Sequence, residues 1–233
     1  MTGPNFIGLL TGPRYEVVAS GALVGGLLCV FSLQAKRALS RADNPLVPDE
    51  RLSLRNCAEL VTLFVRNLGE MVLGKEGKKY FPFVGSLFIY VFLSNALGLI
   101  PGFSMPTDYV PFNLGLALTV FVLYNYWGVR DVGLLNYLKH MCGPLWIIAP
   151  LFFVIELVSH CFRPISLSLR LFGNMTGDHL ALGIFTDLTK STFIPIPVIF
   201  YFLGLFVCFM QAFVFTLLTM VYIQLATAHE EEH

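Results

Sequence analysis

Long apolar runs separated by short polar stretches set the pattern of this chain. Val17 to Leu33 is the first run. It is just long enough to cross a bilayer as a helix, and Gly21, Gly25 and Gly26 offer a smooth face for close helix contact. Residues 1–16 before it are punctuated by Gly3-Pro4 and Gly12-Pro13 and read as loop. Between Gln34 and Tyr80 the pattern changes to helical periodicity. Leu52, Leu54, Leu60, Val61, Leu63, Phe64, Leu68 and Val72 recur on one side, with Arg51, Arg55, Glu59, Arg66 and Glu70 largely between them. That is an amphipathic helix lying along a membrane surface, expected over 51–73.

Two more spans follow, over 81–100 and 112–129. The first ends at Pro101-Gly102, and the second closes in Tyr124, Tyr126 and Trp127, an aromatic interface belt. Two over-long apolar segments come next, 145–187 and 193–228, joined at Ser191-Thr192 beside Pro195 and Pro197. At ~1.5 Å per residue the first would reach ~64 Å, about twice the hydrocarbon thickness, so it must break or lie strongly tilted. The expected fold is an all-α polytopic membrane protein. It has about five membrane helices (three spans plus a strongly tilted two-helix hairpin) and one amphipathic surface helix, in a single membrane domain over 1–233.

Charge orients this arrangement. The 34–80 stretch carries nine of the fifteen Lys and Arg residues, which places it on the cytoplasmic side. The linker from Pro101 to Asn113 has no Lys or Arg, only Asp108, and belongs outside. The loop with Arg130, Asp131, Lys139 and His140 returns to the cytoplasm, as does the His-Glu-rich tail. The N-terminus is then external.

Composition narrows the class further. The chain is 56% hydrophobic and 13% charged, too apolar to coat a soluble globule. Its formal net charge of zero gives no electrostatic reason to bind nucleic acid. Cys29, Cys57, Cys142, Cys161 and Cys208 show no metal-ligand spacing and read as packing residues. No P-loop is present, so no direct nucleotide binding is expected, and neither metal nor cofactor is implied. No basic stretch precedes the first apolar run, so no cleavable signal is expected. No internal repeat is visible, which argues against repeat-built carriers.

The chemistry concentrates in the first long segment. On an ideal helix Glu156, His160, Arg163, Arg170, Asn174 and Asp178 share a strip ~80° wide. Pro164 makes the register across it uncertain. His179 lies off the strip, and Ser166 and Ser168 flank it. Glu156 can reach His160 at i+4, whereas Arg163 at i+7 is expected to lie too far. Arg170 has no acid nearer than Asp178 on its own helix. A charge at membrane depth costs at least ~2.5–3.5 kcal/mol, so an unpaired guanidinium implies an acidic partner from elsewhere. On the second long segment Gln211, Tyr222 and Gly204 share a face. Gln211 can hydrogen-bond across the hairpin towards Arg170, or serve as a plain polar helix contact.

The run Pro164-Ile-Ser-Leu-Ser-Leu-Arg170-Leu-Phe-Gly-Asn174-Met, followed by Gln211-Ala-Phe-Val-Phe-Thr-Leu-Leu-Thr-Met-Val-Tyr222, resembles subunit a of the F-type rotary ATP synthase, bacterial type. Ser94-Asn95-Ala-Leu-Gly-Leu-Ile-Pro101 and the acidic, His-containing tail also resemble bacterial members. The likeness covers residues 51–233. It implies a non-catalytic proton channel subunit of the bacterial inner membrane, packed against a ring of c subunits and held by b-type peripheral stalk subunits. Arg170 matches the family's essential arginine, facing the ring carboxylates between two aqueous half-channels. Asn174 and Gln211 match its polar neighbours, with Tyr222 beyond them. Glu156 and Ser166 match the cytoplasmic access path, which His160 joins. His179 falls where many bacterial relatives carry glutamate. Gly204 falls where its ionisable partner often sits, so Asp178 is expected to supply the missing group. The rival reading is a subunit of another proton-coupled transporter or of a redox-driven pump, which also use buried Arg, Glu and His.

Overall fold

The computed structural model describes residues 16–40, 54–74, 77–100, 103, 105–134, 137, 149–189 and 196–227. They form six α-helices, α1 (Glu16–Ser40), α2 (Leu54–Leu73), α3 (Gly77–Ala96), α4 (Val110–Val132), α5 (Ala149–Thr189) and α6 (Ile196–Thr227), with short 3-10 turns at Leu97–Leu99 and Pro106–Asp108. There is no strand among the described residues. Among the described residues five stretches are long and apolar enough to cross a membrane: Glu16–Gln34, Gly77–Leu99, Val110–Val132, Leu151–Asp178 and Tyr201–Thr227. The chain is an all-α polytopic membrane protein, with α2 as its amphipathic helix. The expected N-terminal loop, Arg41 and Arg51, Pro101-Gly102, Lys139-His140, the turn at Ser191-Thr192 and the tail from Ala228 lie outside the described residues.

Helix ends differ from the sequence expectation in physically sensible ways. α3 starts at Gly77 rather than Phe81 and takes in Lys78 and Lys79. The Lys79 ammonium lies 5.4 Å from the centre of the Tyr80 ring. Pro82 lies in the second turn of α3 without ending the helix. α4 ends three residues later than expected, closed by Gly133 at φ 85°, whose N–H bonds the Val129 carbonyl. Pro164 lies inside α5 without ending it. At ~1.5 Å per residue α5 is ~60 Å long, so the whole helix cannot stand upright in a ~30 Å hydrocarbon layer.

The chain divides into two compact units. One comprises residues up to Pro106 plus Leu203–Thr216 of α6. Within it α2 and α3 fold back on each other through Gly74, held at φ 63°. Only a glycine fits their closest approach. A Cβ on Gly77 would stand 2.9 Å from the Gly69 carbonyl oxygen. Aromatic rings fill the interior: Phe64 meets Phe88 at 5.7 Å, Phe209 at 5.8 Å and Phe213 at 6.1 Å. α1 joins through the Tyr90 hydroxyl, which donates to the Gly21 carbonyl at 3.4 Å. A Cβ on Gly25 or Gly26 would meet nothing within 4 Å, whereas Gly21 is buried and its carbonyl accepts from Tyr90.

The other unit comprises Thr107–Phe202 and Leu217–His233. Its frame is α4 packed against α5. Asn113, Ala117, Val120, Tyr124 and Gly128 make the buried stripe of α4. On α5 the buried positions are His160, Pro164, Leu167, Ser168, Leu171 and Met175. The end of α6 closes in tightly, since a Cβ on Gly128 would stand 2.8 Å from the Ala226 carbonyl oxygen.

Candidate functional site

The polar positions of α5 divide into two groups facing different surroundings. The first is a cage at Glu156, His160 and Arg163. Glu156 accepts from the Arg163 guanidinium at 3.2 Å and lies 3.3 Å from His160 Nε2, both through Oε1. Arg163 at i+7 is therefore within reach, contrary to the sequence expectation. Two turns rise only ~10–11 Å, and two long side chains leaning towards each other cover that span. The Arg163 guanidinium lies over the Tyr222 ring at 5.3 Å and the Tyr124 ring at 6.0 Å, a cation–π arrangement. The Tyr124 hydroxyl meets His160 Nδ1 at 3.3 Å. With Nδ1 accepting from the phenol, Nε2–H is free to donate to Glu156.

Tyr124 corrects another expectation. It is 1% exposed and belongs to this cage rather than to an interface belt, whereas Tyr126 is 56% exposed. Position on the helix decides it: Tyr124 continues the stripe of Ala117 and Val120 that faces α5. Tyr137 extends the cluster, donating to Asn125 Oδ1 at 2.7 Å. Burial raises the Tyr137 phenol above its ordinary value; nearby Tyr124 and Glu156 add to this and Arg163 opposes it. Tyr137 therefore remains an O–H donor through neutral pH.

The second group is the outward face of α5. Ser166, Arg170 and Asn174 are exposed and follow one another at helical spacing. Gly173 and Gly177 continue the strip, and a Cβ built on either would meet nothing within 4 Å. Among the described residues no carboxylate pairs with Arg170. The single ~80° strip expected from an ideal helix is thus split: His160 is 8% exposed and turned into the α4 packing, while Arg170 is exposed.

The remaining expected positions are dispersed. Asp178 is half-buried and partnered, and His179 lies within the helical span of α5. Gln211 is 3% exposed and belongs to the other unit, as does the buried Gly204. Sequence reasoning missed the Arg163 pair, Tyr124 and Tyr137. It also missed Asp108, to which Thr176 Oγ1 donates at 3.4 Å. The nearest signal was Arg163 two turns after Glu156. Nothing in the order of residues points to Tyr124 or Asp108, which come from another element.

Residues 18–224 match the family model described as ATP synthase A chain. ATP synthase subunit a of Bdellovibrio bacteriovorus is 42% identical over 219 residues, covering 94% of this chain and 94% of that protein. ATP synthase subunit a 1 of Syntrophotalea carbinolica is 43% identical over 207 residues, 89% of this chain and 82% of that one. The Sorangium cellulosum subunit a is 36% identical, over 94% of this chain and 84% of that protein.

Proposed function

The chain belongs to the ATP synthase A chain family, and from that premise we propose that it is the proton-translocating stator subunit in the membrane sector of an ATP synthase. Nucleotide chemistry is left to other subunits. Its partners are a ring of c subunits, b-type peripheral stalk subunits and the rest of the complex. It lies in the bacterial cytoplasmic membrane with its N-terminus outside and its C-terminus inside.

The observation that carries this reading is Arg170: an exposed guanidinium, unpaired among the described residues, on a strip of small side chains. A charge left open at membrane depth is too costly to keep without a partner. The smooth surface at Gly173 and Gly177 lets another helix approach closely and bring an acid with it.

The mechanism follows from electrostatics. A ring carboxyl in lipid keeps its proton, because burial penalises the anion. Opposite Arg170 the anion is favoured and the proton leaves. Two aqueous half-channels, each open to one side, then force the ring to turn before a proton can cross. Glu156, His160, Ser166 and Tyr222 serve the inner path. Asn174, Asp178 and His179 serve the outer one, and Gln211 serves as a further polar group of the pathway. Asp178 supplies the ionisable group that Gly204 lacks. The fixed cation also bars protons from passing straight between the half-channels.

ATP-driven acidification of inverted membrane vesicles tests the assignment. Arg170→Ala is expected to abolish pumping in a complex that still assembles; undiminished pumping overturns it. Asp178→Asn is expected to slow pumping several-fold, and unchanged flux would remove Asp178 from the outer path.

A further inference from the structure

α5 carries two arginines seven residues apart, and they stand in opposite states. Arg170 is open. Arg163 is 17% exposed, ion-paired to Glu156 at 3.2 Å and stacked over Tyr222 and Tyr124. Two turns of helix separate them by ~10 Å along the axis and ~20° around it. Released from its cage, Arg163 could therefore swing towards the strip along which, on the reading above, a ring carboxylate travels. A second free guanidinium there would compete for the same anion and hold it in the wrong place. What prevents this is Glu156, whose Oε1 takes the guanidinium while two aromatic faces limit its swing.

We propose that Glu156 and Arg163 form an electrostatic lock. Glu156 neutralises Arg163, so that of the two described arginines of α5 it is Arg170 that is offered to the ring. This rests on the stator reading and gives Glu156 a duty separate from lining the inner path. Arg163 is then a positioning residue. Its cage keeps the cation away from the moving carboxylate, and His160, 3.3 Å from the same oxygen, keeps Glu156 aimed at it.

A charge-deletion series separates this duty from proton carriage. Glu156→Gln removes the anion with little change of shape and frees Arg163. ATP-driven pumping in inverted vesicles is expected to fall by about tenfold, since removing one member of a part-buried pair does more harm than removing both. The double variant E156Q/R163Q removes the stray cation as well and is expected to pump severalfold faster than E156Q, while staying below the wild type because Glu156 also serves the inner path. If the double variant is assembled and as inactive as E156Q, the carboxylate itself is needed and the lock is wrong. Wild-type pumping by E156Q alone also overturns it. Should E156Q fail to assemble, the charge-swapped pair E156R/R163E decides: pumping supports the lock, and an assembled but inactive complex refutes it. Arg170→Ala measured alongside reports on the stator reading alone, because its failure to abolish pumping would leave the Glu156–Arg163 comparison unexplained by any ring contact.

Discussion

Identical side chains at positions 163 and 170 take opposite states because helix position decides what each can reach. Arg163 points where Glu156, Tyr124 and Tyr222 converge, and Arg170 points outward. Arg170→Lys is therefore expected to restore little of the pumping lost in Arg170→Ala. A lysine at membrane depth can shed its proton, whereas a guanidinium cannot. Tyr124→Phe keeps the ring over Arg163 but removes the 3.3 Å contact to His160. It is expected to cost ~1 kcal/mol of stability, read as a lowered thermal midpoint of the purified complex. Tyr137 has a pH signature. Burial favours its neutral form in the folded chain, so the stability it contributes is present below its ordinary value of 10.0 and is lost as pH rises above it. Tyr137→Phe should abolish the alkaline loss attributable to that phenol and leave neutral-pH stability changed only by the hydrogen bond to Asn125. Of these residues, Arg170 was legible from the sequence because an isolated charge in an apolar run is visible without knowing the fold. Tyr124 was not, since its neighbours lie 36 positions away.

Elements were the most readable level. Apolar runs of spanning length and the 3.6-residue rhythm of α2 depend only on local order, and all six helices fall where those patterns lie. Their ends were less readable. Whether α3 starts at Gly77 or Phe81 depends on packing against α2 as much as on local preference. Glycines now divide by what surrounds them. Gly77 and Gly128 hold helices together, and a Cβ at either would meet backbone within 3 Å. Gly77→Ala is expected to destabilise the α2–α3 hairpin by ~1–3 kcal/mol. Gly173 faces open space, so Gly173→Leu is expected to leave the chain's own thermal stability nearly unchanged. On the stator reading the same variant obstructs the approaching ring helix and cuts pumping severalfold. A stable variant that pumps normally would show that this face meets nothing close.

For the molecule as a whole, the orientation of the spans proposed above rests on the distribution of Lys and Arg. A cysteine replacing Lys78 is expected to react with a membrane-impermeant maleimide from the cytoplasmic side, and one replacing Asp108 from the outside; the reverse pattern would invert the topology. The sequence alone determined the class of the protein, its number of membrane helices and its open arginine. Each of these follows from hydropathy or from charge read along one helix, where neighbours in space are neighbours in order. Only the tertiary structure decided which polar groups meet. It paired Arg163 with Glu156 across two turns, buried Tyr124 against His160 and brought Asp108 to Thr176. The cause is physical: ideal helix angles say which way a side chain leaves the axis, but the helix packed alongside decides whether it finds water, lipid, a ring face or a carboxylate.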